Sequence, residues 1–219
     1  MGALHPGEYL IMLNFENLDK ANFLGIGKYN TPIIQPEHID VRHLEWIPFN
    51  FAKTCTDCAT KGVHFFVDDY QFQRAWNQPD RYIPLLQKFG AVCAPDFSMY
   101  TDMPLAMQIY NHYRKHWLAA YWQQCGIHVV PTLCWSNEQS YDWCFDGEPQ
   151  HSIVAISSVG TQQNKQNQAL FEKGVRAALA RLEPSEILWY GKCPEEFDWI
   201  VTRIQPYYAR VKRRCENGR

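Results

Sequence analysis

Short apolar runs recur along the chain at 44–51 (LEWIPFNF), 63–67 (VHFFV), 91–94 (AVCA), 127–133 (IHVVPTL), 153–159 (IVAISSV) and 187–190 (ILWY). Each has the length of a strand, and most are apolar throughout instead of alternating, as strands covered on both faces are. Helical periodicity fills the gaps. Residues 70–89 predict two helices, the first with Phe72, Ala75 and Trp76 at helical spacing and the second ending at Gly90. Residues 104–125 predict the longest helix, with Asp102 as candidate N-cap, Pro104 in the first turn and Gly126 past the end. Residues 163–182 repeat the pattern through Leu170, Gly174, Ala177, Ala178 and Leu182. Strand, helix, strand at this spacing predicts an α/β fold, a mostly parallel sheet of about five or six strands with flanking helices. An open doubly wound sheet and an incomplete (β/α) barrel both satisfy it. The chain reads as a single α/β domain over 1–219, with an irregular N-terminal region at 1–35 and a basic C-terminal tail at 200–219.

In parallel α/β folds, sites form where loops and helix N-termini converge at the C-terminal ends of the strands. Asp68, Asp69, Asp96, Ser98, Trp135, Ser157, Ser158, Gly160, Tyr190 and Gly191 all fall at or just after such ends. A carboxylate there can act as a base, bind a metal, stabilise a developing cation or cap a helix. Asp68 and Asp69 are adjacent, so one strand would point them to opposite faces, and one of them is expected to bond backbone amides in the turn. The loop WSNEQSYDWCFDGEP (135–149) offers Trp135, Tyr141, Trp143 and Phe145 as faces for a planar ring. On the 104–125 stretch, Gln108, Asn111 and Arg114 follow one another at i,i+3, a stripe able to reach a ligand or phosphate.

Composition narrows the classes. Aromatic residues make up 15% of the 219 residues, enough for a bulky core and for stacking surfaces. The formal net charge is −2, so no overall basic field announces nucleic acid, although Arg203, Arg210, Lys212, Arg213, Arg214 and Arg219 crowd the C-terminus. The opening MGALHPGEYLIML lacks the basic start and apolar core of a signal peptide, which predicts a cytoplasmic protein without a membrane partner. The eight cysteines then read as reduced. Cys55 and Cys58 form a lone CxxC, a weak zinc signal with no second pair to complete four ligands. Walker, GxGxxG and GxSxG motifs are absent from the sequence.

The segments VHFFVDDYQFQRAW, APDFSMYTDMP, WCFDGEP and IVAISSVG resemble an uncharacterised prokaryotic family of phages and mobile elements, domain of unknown function 4417. The resemblance covers roughly residues 40–192 and rests on the PDFSxYxDMP and WCFDGxP signatures. It implies a DNA glycosylase that excises a modified nucleobase, in defence against phage with modified DNA. Such chemistry flips the base into a pocket, stacks it on aromatics and stabilises an oxocarbenium-like sugar with a carboxylate that activates water. On that reading Asp96 or Asp69 is the catalytic carboxylate, with Asp68 in support. Phe97, Ser98, Tyr100, Trp135, Trp143 and Ser157 would bind the substrate, with Asn111 and Gln123 reading the base edge. Arg114, Lys115 and Lys165 would meet the phosphates of DNA, and neither cofactor nor metal is required. Two other classes stay open: a nuclease or phosphoesterase holding Mg²⁺ through Asp68, Asp69, Asp96 and Glu138, and a non-enzymatic nucleic-acid-binding accessory protein of phage or plasmid.

Overall fold

The computed structural model describes residues 16–205. All six predicted strands form: β3 (Glu45–Pro48), β4 (Lys61–His64), β5 (Ala91–Cys93), β6 (Val129–Val130), β7 (Ile153–Ser157) and β8 (Glu186–Tyr190). Two additions were illegible in the sequence. A hairpin, β1 (Gly25–Ile26) with β2 (Thr31–Pro32), lies in the expected irregular region, and β9 (Val201–Ile204) takes the first residues of the expected tail. The basic residues at 210–219 lie outside the described residues.

The helices are α1 (Asp69–Asn77), α2 (Pro79–Leu86), α3 (Leu105–Gln124) and α4 (Lys165–Leu182). Proline at the first position of α2 separates it from α1, because a proline ring disfavours helical backbone in the residue before it. Asn164 caps α4 by accepting from Asn167 N, and Gly126 takes the left-handed conformation (φ 77°) that closes α3. Asp102 does not cap α3: Pro104 occupies that position, and no side chain there bonds the helix amides.

The strands β3-β4-β5-β6 run parallel in chain order, and so do β7-β8-β9. Leu133 N donates to Ala155 O at 2.8 Å and Ala155 N to Pro131 O at 2.7 Å, which joins the two ladders side by side. Sequential order leaves no switch point of the doubly wound kind. The sheet instead rolls on itself. Trp46, Cys93, Val130, Ala155, Leu188 and Ile204 come from six different strands yet share one core cluster, the inner face of the roll. The rings of His64 and Tyr190, from β4 and β8, lie 4.9 Å apart across it. Among the described residues no ladder joins β3 to β9, so backbone pairing does not close the roll.

The outer face is covered by helices. Ile47, Val63, Val92 and Val129 pack with Phe72, Leu86, Trp117 and Trp122 from α1, α2 and α3. Val154, Ile156, Ile187 and Trp189 pack with Phe171, Val175 and Ala178 of α4. Covering on both faces explains why the strands read as unbroken apolar runs. The longest helix departs from expectation: Asn111, His112, Arg114, Lys115 and His116 of α3 are buried, so its polar stripe serves the interior and not solvent.

Candidate active-site cleft

A cleft of about 980 Å³ opens over the C-terminal ends of the strands, where the fold rule places it. Its lining includes Asp68, Asp96, Phe97, Ser98, Tyr100, Trp135, Ser157 and Tyr190, together with His64, Phe66, Cys134 and Asn167. Among the described residues no lysine or arginine lines it.

Asp96 sits at its floor. Ala94 N still donates to Val130 O at 2.8 Å, but Pro95 has no N–H, so the ladder stops and the next side chain turns into the cleft. Burial raises the Asp96 carboxyl to about 7; the Lys115 ammonium behind it pulls the other way, and the Asp69 carboxylate adds to the rise. The group therefore changes protonation near neutral pH, as acid–base catalysis requires.

The aspartate pair divides as expected, though with a different partner. Asp68 is exposed and lines the cleft, accepting a 3.4 Å bond from Gln71 Nε2. Asp69 does not line it. Its carboxylate accepts from Ser98 N at 3.1 Å and from Ser98 Oγ at 2.9 Å, tying α1 to the neighbouring loop instead of to its own turn. Asn111 holds the same loop by donating to Ser98 O at 2.6 Å, and it is buried away from the cleft, so it reads no base edge.

Three further residues expected at the ligand lie elsewhere. Arg114 is buried; its Nε donates to Asn111 Oδ1 at 3.0 Å and its Nη1 to Gln73 Oε1 at 2.7 Å. Its guanidinium lies 3.7 Å from the centre of the Phe97 ring, so it supports that ring and meets no phosphate. Lys115 is fully buried, donating to Thr132 O at 2.8 Å and to Glu148 Oε1 at 2.6 Å, with His116 Nε2 3.1 Å from the same oxygen. Burial opposes its charge, but Cys134 and Glu148 raise it to about 12. Gln123 exchanges two 2.9 Å bonds with the backbone of Gln35, far along α3. Lys165 remains exposed at the start of α4, beside the lining residues Gln163 and Asn167.

The aromatic walls are only partly as expected. Trp135 is half-buried in the cleft, stacked on Phe171 at 5.4 Å and seated against Gly174, where a Cβ would collide with the indole. Tyr100 stands 63% exposed at the mouth, its phenol oxygen 3.2 Å from Ser98 Oγ, whose one proton goes to Asp69. Phe97 is nearly buried but shows an edge to the cleft. Trp143 is absent from it, packed edge-on against His112 at 5.5 Å. Ser157 lines the cleft while its Oγ accepts from Val159 N at 3.3 Å.

The Mg²⁺ set is not assembled. Glu138 pairs with Lys173 at 2.5 Å outside the cleft, and Asp69 is committed to Ser98. Among the described residues no three His, Cys, Asp or Glu side chains converge as ligands for a metal. Cys134 faces the cleft, but burial raises its thiol to about 12, so it is no thiolate nucleophile at neutral pH. Sequence reasoning missed His64 and Phe66. The one signal for His64 was its place as the only polar residue in an otherwise apolar strand run.

A family model described as "Domain of unknown function (DUF4417)" matches residues 25–208. The chain is 39% identical over 214 residues to the Gene 1 protein of Mycobacterium phage L5, covering 97% of this chain and 90% of that one. It is 38% identical over 215 residues to the Gene 1 protein of Mycobacterium phage D29, covering 97% and 77%. No solved structure matches significantly. Among the described residues no helix is long and apolar enough to cross a membrane.

Proposed function

This chain belongs to the DUF4417 family, and from that premise we propose that its cleft excises a nucleobase from DNA by hydrolysing the N-glycosidic bond. The observation that carries the reading is Asp96, a carboxyl held at about 7 on the floor of a cleft walled by Phe66, Trp135, Tyr100 and Tyr190. Trp135 and Tyr100 give a flat base ring faces to stack on, and a lining without lysine or arginine among the described residues suits a neutral base and its sugar better than a phosphate. Phosphates stay at the mouth, where Lys165 is exposed.

In its ionised form Asp96 faces the sugar as it gains oxocarbenium character and accepts a proton from the attacking water. The water oxygen bonds to the anomeric carbon, the C–N electron pair leaves with the base, and the proton passes from Asp96 to the departing nitrogen. A free base and an abasic site result. Asp68, exposed at the rim, adds negative charge near the developing cation. The relatives named above are phage proteins, so phage DNA is the substrate this reading favours, and loss of modified bases from a phage genome would serve defence against it.

The experiment incubates the protein with modified and unmodified DNA, in Mg²⁺ and separately in EDTA, and then cleaves abasic sites with alkali. Strand breaks after alkali, lost in Asp96→Asn, are expected. Breaks without alkali that EDTA abolishes would establish a metal-dependent nuclease instead, and breaks persisting in Asp96→Asn would remove Asp96 from the chemistry.

A further inference from the structure

His64 closes β4 and lines the same cleft floor as Asp96, yet the mechanism above leaves it unused. Its ring is 1% exposed. Phe66 N donates to His64 Nδ1 at 3.3 Å, so Nδ1 is the acceptor nitrogen and the ring proton sits on Nε2. Nε2 is buried and has no hydrogen-bond partner among the described residues. A buried N–H without an acceptor is costly, and in a residue that lines a cavity an incoming acceptor would remove that cost. The ring is held in place, stacked on Phe66 at 5.4 Å and tilted against Tyr190 at 4.9 Å, while Phe66 and Tyr190 stack on each other at 5.2 Å.

We propose that His64 is the specificity-determining residue of the cleft, its Nε2–H donating to an in-plane acceptor, a carbonyl oxygen or pyridine-type nitrogen, of a flat ring packed beside Phe66 and Tyr190. This rests on the reading of the cleft as a nucleobase site and names what it selects. Burial keeps the imidazole uncharged, lowering it to about 3, so the donor serves a neutral acceptor across the whole neutral range. A ring with no in-plane acceptor leaves the N–H unpaired and is rejected, the kind of discrimination an unsatisfied buried polar group provides.

The test titrates the full chain, labelled with ¹⁵N-histidine, with cytosine, which carries in-plane acceptors, and with indole, which carries none. The Nε2 resonance of His64 moves with cytosine and not with indole. His64→Phe keeps a stacking ring but no donor; it binds cytosine about tenfold more weakly and indole unchanged. An Nε2 resonance that stays still while cytosine binds, a His64→Phe protein of undiminished cytosine affinity, or a wild-type protein that binds no cytosine overturns the proposal. Should His64→Phe not fold, the wild-type resonance decides alone. Cytosine binding without base release from DNA retains this inference and removes the hydrolase; base release with an unmoved Nε2 does the opposite.

Discussion

The carboxylate of Asp69 receives both the backbone N–H and the hydroxyl of Ser98, at 3.1 and 2.9 Å. One side chain thereby fixes the start of α1 to the loop that carries Asp96, Phe97 and Tyr100. Asn111 clamps the same residue from the other side through Ser98 O. Asp69→Ala leaves the Ser98 N–H without its acceptor and loosens the loop, at a cost of about 1–3 kcal/mol in stability. Base release falls too, by about tenfold, through a misplaced carboxyl and not a missing one. Denaturant unfolding and the release rate read both effects. A loss as complete as that of Asp96→Asn would make Asp69 the catalytic carboxylate.

Lys115 and Glu148 form a fully buried pair at 2.6 Å, with His116 on the same carboxylate oxygen. Glu148 Oε2 has no hydrogen-bond partner among the described residues, so the site depends on the one oxygen that is paired. Lys115→Met strands a buried carboxylate and destabilises by about 3–5 kcal/mol. The double variant Lys115→Met/Glu148→Gln recovers much of the loss. Thermal unfolding of the three proteins checks this, and a single variant as stable as wild type contradicts it. A phosphate-binding lysine would behave differently, weakening DNA binding in a salt-dependent way at little cost to the fold.

Asp96 and His64 act on stability in opposite directions over overlapping pH windows. The folded Asp96 carboxyl lies at about 7 against an ordinary 3.8, so the folded state holds a proton that the unfolded chain has released. Its contribution therefore falls as pH rises from 3.8 to about 7 and is flat above. His64 lies at about 3 against 6.5, so its contribution falls as pH drops from 6.5 toward 3. Relative to wild type, Asp96→Asn melts a few degrees higher at alkaline pH and loses that advantage in acid. His64→Phe gains its advantage only in acid. Melting temperatures taken across both windows test the pair, and parallel profiles for all three proteins contradict it.

The strands and the rim were legible because burial on both faces leaves unbroken apolar runs, and residues just past those runs must lie at strand ends. Asp96, Trp135, Ser157 and Tyr190 reached the cleft on that logic alone. The choice between an open sheet and a rolled one was not legible, since local periodicity carries no record of which distant strands share an inner face. Nor were the roles of α3. Asn111, Arg114 and Lys115 read from the sequence as contacts for a base edge or phosphate, but their partners Ser98, Gln73, Thr132 and Glu148 come from four separate parts of the chain. Polar residues on a buried helix satisfy one another across the fold, and their spacing matches that of an exposed face. His64 was hidden for the same reason: a lone histidine in an apolar strand reads as core until the contacts show one nitrogen bonded and the other bare.

The most direct measurement is the pH dependence of base release from a DNA substrate by wild type and by Asp96→Asn. The rate should rise with pH to a plateau, with its midpoint near the Asp96 value of about 7. Asp96→Asn should be slower by about 10²- to 10⁴-fold and lack that inflection. A wild-type rate that is level from about pH 5 to about pH 9, or an Asp96→Asn protein with the same inflection, would show that another group performs the chemistry.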